Sequence, residues 1–219
     1  MLPIAFYICI SLLITYSVLL LYYYMGWKAA PVFEPLPLSN FPFLSVIIPA
    51  RNEASRLPAL LSSLMDQTYP KEFFEILVVD DHSEDNTAAI AASFSGVKVI
   101  SLKDTIGTTA INSYKKKAIE IGIQQSIGEL IVTTDADCLV PPNWLRTISA
   151  FYQEKKADFM VMPVSIHCSN RFIELFQALD FMTMQGITGA SVYKKIHSMC
   201  NGANLAYTKA AFNAVNGFE

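Results

Sequence analysis

A ten-residue stretch, from Glu129 to Cys138, does most to constrain the fold of this chain. Its apolar, β-branched part, Leu130-Ile131-Val132-Thr133, is typical of a strand buried in a parallel sheet. The run ends in two carboxylates spaced one residue apart, Asp135 and Asp137, where the chain is expected to turn. Oxygen ligands at this spacing suit Mg²⁺ or Mn²⁺, which would in turn hold phosphate oxygens. The alternative is that Asp137 caps the next helix and Asp135 is solvated.

Strand and helix patterns alternate before this stretch. Apolar runs predict strands over residues 44–50, 75–81 and 97–102, and helical periodicity or helix-start residues predict helices over 57–65, 88–92 and 115–125. This alternation predicts an α/β fold whose mostly parallel sheet carries helices on both faces.

Polar clusters follow three of the predicted strands. They are Arg51-Asn52-Glu53, Asp80-Asp81 and the Asp135/Asp137 pair. Because ligands of such sheets bind beyond the carboxyl ends of the strands, we expect these clusters to form one site.

Charge and missing motifs argue against several functional classes. With 16 basic and 19 acidic residues the chain is no polycation, so nucleic acid is not an expected partner. The sequence has no Gly-x-Gly-x-x-Gly, no Gly-Lys-Ser/Thr phosphate loop and no Gly-x-Ser-x-Gly elbow. The four cysteines show no zinc-binding spacing and no disulfide framework, so reduced thiols are expected. A nucleotide would therefore need its phosphates neutralised by a cation, for which Asp135 and Asp137 are the candidates.

The N-terminus predicts a membrane anchor. Residues 1–25 contain no charged side chain and match the roughly 20 residues that a helix needs to cross a bilayer. A cleaved signal peptide is the alternative, but it usually has a basic start and a shorter apolar core. Lys28 follows the span, so the positive-inside tendency places the rest of a single-pass protein on the cytoplasmic side. Residues 26–42 carry four prolines and predict a stiff tether, and residues 43–219 form the predicted domain.

The domain resembles the family 2 glycosyltransferases, which have the Rossmann-like, nucleotide-sugar-binding GT-A fold. The resemblance covers about residues 43–219 and is carried by Val46-Ile47-Ile48-Pro49-Ala50-Arg51-Asn52-Glu53, Val78-Val79-Asp80-Asp81-His82-Ser83-Glu84-Asp85-Asn86-Thr87, Thr134-Asp135-Ala136-Asp137, Asn201-Gly202-Ala203-Asn204-Leu205-Ala206-Tyr207 and Val215-Asn216-Gly217-Phe218-Glu219. It implies transfer of a sugar, UDP- or GDP-linked, to a glycan or lipid acceptor in cell-envelope polysaccharide or glycolipid synthesis.

The resemblance also implies roles for residues on the nucleotide side. Pro49, Ala50 and Glu53 would line the nucleotide pocket. Asp81 would hydrogen-bond the edge of the nucleobase, with Asp80 beside it. For Asp80 the alternative is a turn cap.

On the phosphate side, Asp135 would contact the ribose or the diphosphate, and Asp137 would ligate the metal together with Asp135. Lys115 matches a lysine that the family often places after a glycine, but here Tyr114 replaces that glycine. Which of the lysines at 115–117 points inward is therefore open, and a solvated helix start is the alternative.

Two other classes compete with a transferase. One is a non-catalytic nucleotide-sugar-binding or scaffold protein that keeps the donor half of the fold. The other is a nucleotidyltransferase, for which a glycine- and basic-rich loop would be expected after the first strand.

Beyond Asp137 the sequence predicts a helix over 141–156, a strand over 159–166 and a helix over 171–185 whose apolar stripe is expected in the core. The alternative for this last stretch is that Phe181, Met182, Met184 and Ile187 rest on a membrane surface. His82, His167 and His197 show no ligand spacing and are expected to be structural. The resemblance places the catalytic base beyond Glu219, so the chain is expected to be a fragment, truncated at its C-terminus.

Overall fold

The computed structural model describes residues 2–106, 113–196 and 200–218. The predictions for His197 and Glu219 fall outside the described residues. The chain divides into two compact units: residues 1–33 with 163–201, and residues 34–162 with 202–219. We call the first the helical unit and the second the sheet unit.

In the helical unit, α1 (Leu2–Ala29) and α7 (Phe172–Lys194) pack against each other. Pro3–Ala29 is long and apolar enough to cross a membrane, by length and composition alone. The two helices approach closely through glycines, since a Cβ on Gly26 would lie 2.9 Å from Cε of Lys194 and one on Gly189 would lie 2.8 Å from the Trp27 ring. Lys194 Nζ also donates a hydrogen bond to the Tyr22 carbonyl oxygen (3.1 Å). The same nitrogen lies 3.6 Å from the centroid of the Tyr22 ring.

The sequence prediction for the stripe on α7 is wrong. Apolar residues that recur at helical spacing from residue 172 to residue 182 are exposed rather than buried: Phe172, Leu175, Phe176, Leu179 and Met182. The side chains that α7 buries lie near its other end: Thr188, Ala190 and Ser191. Periodicity shows that a helix has an apolar face, but it does not show what covers that face.

The sheet unit contains a mixed six-stranded sheet in the order β3-β2-β1-β4-β6-β5. Its strands are β1 (Leu44–Ala50), β2 (Phe74–Asp80), β3 (Val97–Ser101), β4 (Leu130–Thr133), β5 (Phe159–Val161) and β6 (Leu205–Thr208). The first four strands are parallel, as predicted, and β6 runs antiparallel to both of its neighbours. β6 was not predicted from the sequence, because its four residues are too few to show the alternation of apolar and polar residues that marks a strand.

Helices cover both faces of this sheet. The helices of the sheet unit are α2 (Leu57–Met65), α3 (Thr87–Ser93), α4 (Leu102–Ile106), α5 (Tyr114–Gln125), α6 (Trp144–Lys155) and α8 (Lys209–Ala214). One buried cluster joins α2 and α6 to the face of β1 that carries Val46 and Ile48. A second joins α5 to the opposite face, where Ile47 and Leu77 lie. This confirms the predicted layers.

The strand predicted over 159–166 is shorter than expected. Only Phe159–Val161 pair with β6, and residues 162–170 are irregular. Proline has no N–H to donate to a ladder, and Pro163 follows the strand closely.

A buried polar contact fixes the start of β4. Ser45 Oγ donates to Glu75 Oε1 (2.5 Å) and accepts from the Gly128 amide (2.9 Å). The Ile127 amide donates to the same Glu75 oxygen (2.6 Å). This contact ties the backbone before β4 to β1 and β2, and so sets the position of the residues after β4.

We predict that Gly128→Ala destabilises the sheet unit by about 1–3 kcal/mol, the usual cost of overpacking. A Cβ there would lie 2.5 Å from Ser45 Oγ and 2.7 Å from the Ser45 amide nitrogen, which cannot move aside. Gly202→Ala is the matched control, since a Cβ at that position meets nothing within 4 Å. Thermal unfolding of the two variants should show a lower midpoint for Gly128→Ala alone, and equal midpoints would contradict this account.

Candidate functional site

A cavity of about 240 Å³ opens at the carboxyl ends of β1, β2 and β4. The chain runs from β1 outward to β2 and β3, then returns to place β4 on the other side of β1. Such a switch point leaves a crevice beyond the strand ends where ligands bind in open α/β sheets. The cavity is lined by Pro49, Ala50, Arg51, Glu53, Asp81, Lys115, Asp135, Ala136 and Asp137. The three polar clusters predicted from sequence therefore meet at one site.

The loop after β1 is held in place by the loop after β2. The Asn52 amide donates to Ser83 Oγ (3.0 Å), and Asn52 Oδ1 accepts from the Glu84 amide (2.8 Å). The Glu53 amide donates to Thr87 Oγ1 (2.8 Å), whose hydroxyl donates to Asp85 Oδ1. This hydrogen bond is the main reason that the pKa of Asp85 is lowered. These contacts order the backbone that presents Glu53 to the cavity.

Asp81 is the most deeply buried carboxylate of the cavity, with a side chain only 10% exposed. Its amide donates to the Ala50 carbonyl oxygen (2.8 Å), which fixes its backbone beside the end of β1. Oδ1 lies 2.9 Å from Nδ1 of His82, and Oδ2 lies 3.9 Å from Nη1 of Arg51. Asp81 therefore keeps its position through two side-chain partners, and His82 holds it in place from outside the cavity lining.

Lys115 is the lysine of the 115–117 run that enters the site. Its Nζ lies 2.6 Å from Oδ1 of Asp135, a buried oxygen that accepts no hydrogen bond of ordinary geometry within the described residues. Lys117 pairs with Glu120 on its own helix (3.1 Å), and Lys116 lies 5.9 Å from the centroid of the Phe218 ring. The Ser113 side chain caps α5 and so sets where the lysines project.

Arg56 is a site residue that the sequence analysis missed. Its Nη1 lies 3.6 Å from Oδ2 of Asp137 and 3.9 Å from Oε2 of Glu53. Arg56 precedes α2, where it would be taken for a solvated loop residue. Its position three residues after Glu53 was the one available signal, since that spacing brings two side chains together in a helical turn.

Asp80 does not line the cavity. It ends β2 on the face opposite to Leu77 and Val79, it is buried, and its Oδ1 has no hydrogen-bond partner among the described residues. Alternation along a strand separates it from Asp81, which follows after the strand has ended.

Two carboxylates of the cavity, Asp135 and Asp137, are candidate ligands of a divalent cation. Within residues 2–106, 113–196 and 200–218, no three His, Cys, Asp or Glu side chains are grouped to hold a metal ion. Asp135 and Asp137 nevertheless fit Mg²⁺ or Mn²⁺, which often bind proteins through one or two carboxylates and complete their shell with substrate phosphates and water. The buried Oδ1 of Asp135, which has an ion pair but no ordinary hydrogen bond, is an oxygen that such a cation would satisfy.

Comparison with known families and sequences places these residues among sugar-transferring enzymes. The family profile described as "Glycosyl transferase family 2" matches residues 45–215, which is most of the chain. The chain is 40% identical over 108 residues to glycosyltransferase AglE of Haloferax volcanii, a match that covers 49% of this chain and 34% of that protein. It is 42% identical over 167 residues to 4,4'-diaponeurosporenoate glycosyltransferase of Staphylococcus haemolyticus, which covers 75% and 42%. The chain thus spans less than half the length of these relatives.

Solved structures share the fold. Mannosyltransferase PcManGT from Pyrobaculum calidifontis, in complex with GDP-Man and Mn²⁺, superposes with a TM-score of 0.68 at 21% identity, over 93% of this chain and 56% of that chain. Staphylococcus aureus TarS (residues 1–349) in complex with UDP-GlcNAc gives a TM-score of 0.56 at 22% identity, over 80% and 47%. These likenesses show a GT-A-like fold.

We predict that Cys138 is alkylated more slowly than the exposed Cys200. Burial raises the pKa of the Cys138 thiol, and the nearby carboxylates of Asp137 and Asp135 raise it further. A raised pKa means less thiolate at any given pH, so Cys138, which is both half-buried and less ionised, should be labelled more slowly than the exposed Cys200 and should react faster as the pH increases. Iodoacetamide labelling between about pH 7 and 10, followed by mass spectrometry, measures both rates.

Asp137→Asn removes one of the charges that raise this pKa. It should speed the labelling of Cys138 and leave that of Cys200 unchanged. Identical pH profiles for the two thiols in the unmodified protein would contradict the prediction.

Proposed function

Because the chain belongs to glycosyltransferase family 2, we propose that it transfers a sugar from a UDP- or GDP-linked donor to a glycan or lipid acceptor in cell-envelope polysaccharide or glycolipid synthesis. The observation that carries this proposal is the cavity at the switch point, where Asp135 and Asp137 lie without any glycine phosphate loop. The nucleotide sugars bound in the two solved structures, GDP-Man and UDP-GlcNAc, support this donor class.

On the nucleotide side, Asp81 accepts a hydrogen bond from an N–H at the edge of the nucleobase. Its burial and its contacts with His82 and Arg51 hold the carboxylate in one orientation, which favours recognition of one base edge. Pro49, Ala50 and Glu53 form the adjoining wall. Asp80 is buried and does not line the cavity, so it acts through the fold rather than through contact with the donor.

On the diphosphate side, Asp135 and Asp137 would hold Mg²⁺ or Mn²⁺, and the Mn²⁺ in the PcManGT complex supports a divalent cation. When bound, the cation supplies Lewis-acid stabilisation of the departing diphosphate. Lys115, 2.6 Å from Asp135, adds a positive charge that stabilises the same developing negative charge. The acceptor hydroxyl needs a general base to take up its proton.

We further propose that α1 anchors the protein in a lipid bilayer, with the sheet unit on the cytoplasmic side. The support is the span Pro3–Ala29, followed by Lys28 at its end and by Trp27 and Tyr22–Tyr24 as interfacial aromatics.

Product analysis tests the function against its alternatives. The protein is incubated with UDP- and GDP-sugars, Mn²⁺ and a membrane extract as the source of acceptor. A glycosyltransferase releases the nucleoside diphosphate. A nucleotidyltransferase, given pyrophosphate in a parallel reaction, forms nucleoside triphosphate and sugar 1-phosphate, and a binding protein does neither. Release of UDP or GDP with sugar incorporated into the extract is the expected result for the protein extended past Glu219, where the catalytic base is expected, and its absence there with every donor would contradict the proposal.

We predict that donor binding depends on Mn²⁺ and on Asp137. Calorimetry with UDP and GDP should show affinity falling by at least about tenfold on adding chelator or on Asp137→Asn, since charge-assisted contacts each contribute about 1.5–3 kcal/mol. Asp66→Asn is the matched control, because Asp66 is an exposed carboxylate at the C-terminal end of α2 and does not line the cavity. Equal affinity in all four conditions would rule out the assigned metal role.

We predict that α1 stays on the mature protein and that the sheet unit faces the cytoplasm. Protease added to sealed, right-side-out vesicles should leave the sheet unit intact, while protease added to inverted vesicles should digest it. Leu13→Arg should reduce membrane insertion, since a mid-span charge costs about 2.5–3.5 kcal/mol, whereas Leu13→Ala should not. Digestion from the outside, or a mature N-terminus near Ala30, would disprove this topology.

A further inference from the structure

We infer that Arg56 exchanges partners during donor binding: it leaves Asp137 and contacts the diphosphate group of the nucleotide sugar. This inference rests on the proposed function and adds to it a specific residue for the diphosphate.

The first observation is the shared carboxylate. Oδ2 of Asp137 lies 3.6 Å from Nη1 of Arg56. Asp137 is also the proposed metal ligand, and a carboxylate that binds a divalent cation directly does so at about 2 Å. The repulsion between that cation and the nearby guanidinium would favour movement of Arg56 away from Asp137.

The second observation is where the freed side chain can go. The backbone of Arg56 is fixed, since its amide donates to the Glu53 carbonyl oxygen (3.0 Å) and its own carbonyl oxygen accepts from Ala59 (3.1 Å). Its side chain is 64% exposed, so it can rotate without disturbing the core. Glu53, the second partner of Arg56 at 3.9 Å, lines the cavity. If the guanidinium rotates while it stays paired with Glu53, it remains at the cavity mouth.

The third observation is the charge balance. Four carboxylates line the cavity: Glu53, Asp81, Asp135 and Asp137. Arg51, Arg56 and Lys115 are paired with them, and His82 also contacts Asp81. Without a divalent cation, these side chains are therefore committed to carboxylates rather than to a diphosphate. A divalent cation on Asp135 and Asp137 would add two positive charges and free the charge of Arg56 for phosphate oxygens.

Arg56 suits this role better than the other two cations. Arg51 faces Asp81 on the nucleobase side, and Lys115 is held at 2.6 Å by Asp135. Arg56 makes only longer contacts, at 3.6 Å to Asp137 and 3.9 Å to Glu53, and the proposal requires the contact with Asp137 to break. A guanidinium also binds phosphate oxygens through two parallel hydrogen bonds, which an ammonium cannot reproduce.

The test compares nucleoside diphosphates with monophosphates. Calorimetry in Mn²⁺ measures UDP, UMP, GDP and GMP against the unmodified protein, Arg56→Gln, Arg56→Lys and the control Arg171→Gln. Arg171 forms an exposed pair with Glu174, three residues away at 3.9 Å, so it matches the Arg56–Glu53 pair but contacts no residue that lines the cavity. Electron paramagnetic resonance measures the affinity of each protein for Mn²⁺ alone.

For Arg56→Gln we expect two changes of opposite sign. Free Mn²⁺ binds more tightly because its competitor at Asp137 is gone, and the diphosphate binds about tenfold or more weakly because a charge-assisted contact is lost. The monophosphate should change little, Arg56→Lys should fall in between, and Arg171→Gln should match the unmodified protein.

Three results would overturn the inference. Equal weakening of diphosphate and monophosphate would make Arg56 a general positive charge, and tighter diphosphate binding would make it only a competitor of the metal. No change in either measurement would make it a surface ion pair. If the unmodified protein binds neither UDP nor GDP in Mn²⁺, the proposed function fails together with the inference, and this result is distinct from the other three.

Discussion

The pairing of every cavity carboxylate with a cation is the interaction on which this site depends. Glu53, Asp81, Asp135 and Asp137 converge where parallel strands end, and like charges at such distances repel one another strongly outside bulk water. The cations that offset this repulsion come from the loop after β1 and from the first turn of α5. Hydrogen bonds between the loops after β1 and β2 fix the backbone of the loop that carries Arg51 and Glu53. The site is thus a network of ion pairs arranged before any ligand binds.

The site could be located from the sequence because strand ends are the features of an α/β chain that a sequence pattern predicts best. Apolar runs mark buried parallel strands, and the polar residues that follow each run must share one end of the sheet. Two features were less accessible to this reasoning. Asp80 and Asp81 differ in position because β2 ends at Asp80, and the sequence does not show which residue is the last of the strand. The pairing of Arg56 with Asp137 joins segments that are 81 positions apart, which no local pattern reveals.

The helical unit shows a second limit of pattern reading. The apolar stripe on α7 is expected in the core from the sequence, yet it is exposed, and α7 buries Ala190 and Ser191 instead. At Gly26 and Gly189 the missing Cβ leaves room for a large side chain of the other helix, Lys194 and Trp27 respectively. The periodicity of apolar residues does not reveal this kind of packing.

The absence of a glycine phosphate loop gives the ion-pair network its functional meaning. A glycine loop neutralises phosphates with fixed backbone N–H groups, which bind with or without a metal. Here the loop after β1 is Arg51-Asn52-Glu53, and two of its backbone amides already donate to Ser83 and Thr87. In the proposed function, phosphate binding falls to side-chain cations that are already paired with carboxylates. A divalent metal on Asp135 and Asp137 would free Arg56 for the diphosphate, so the proposal requires metal and diphosphate to bind cooperatively, each raising the affinity of the other by the same factor.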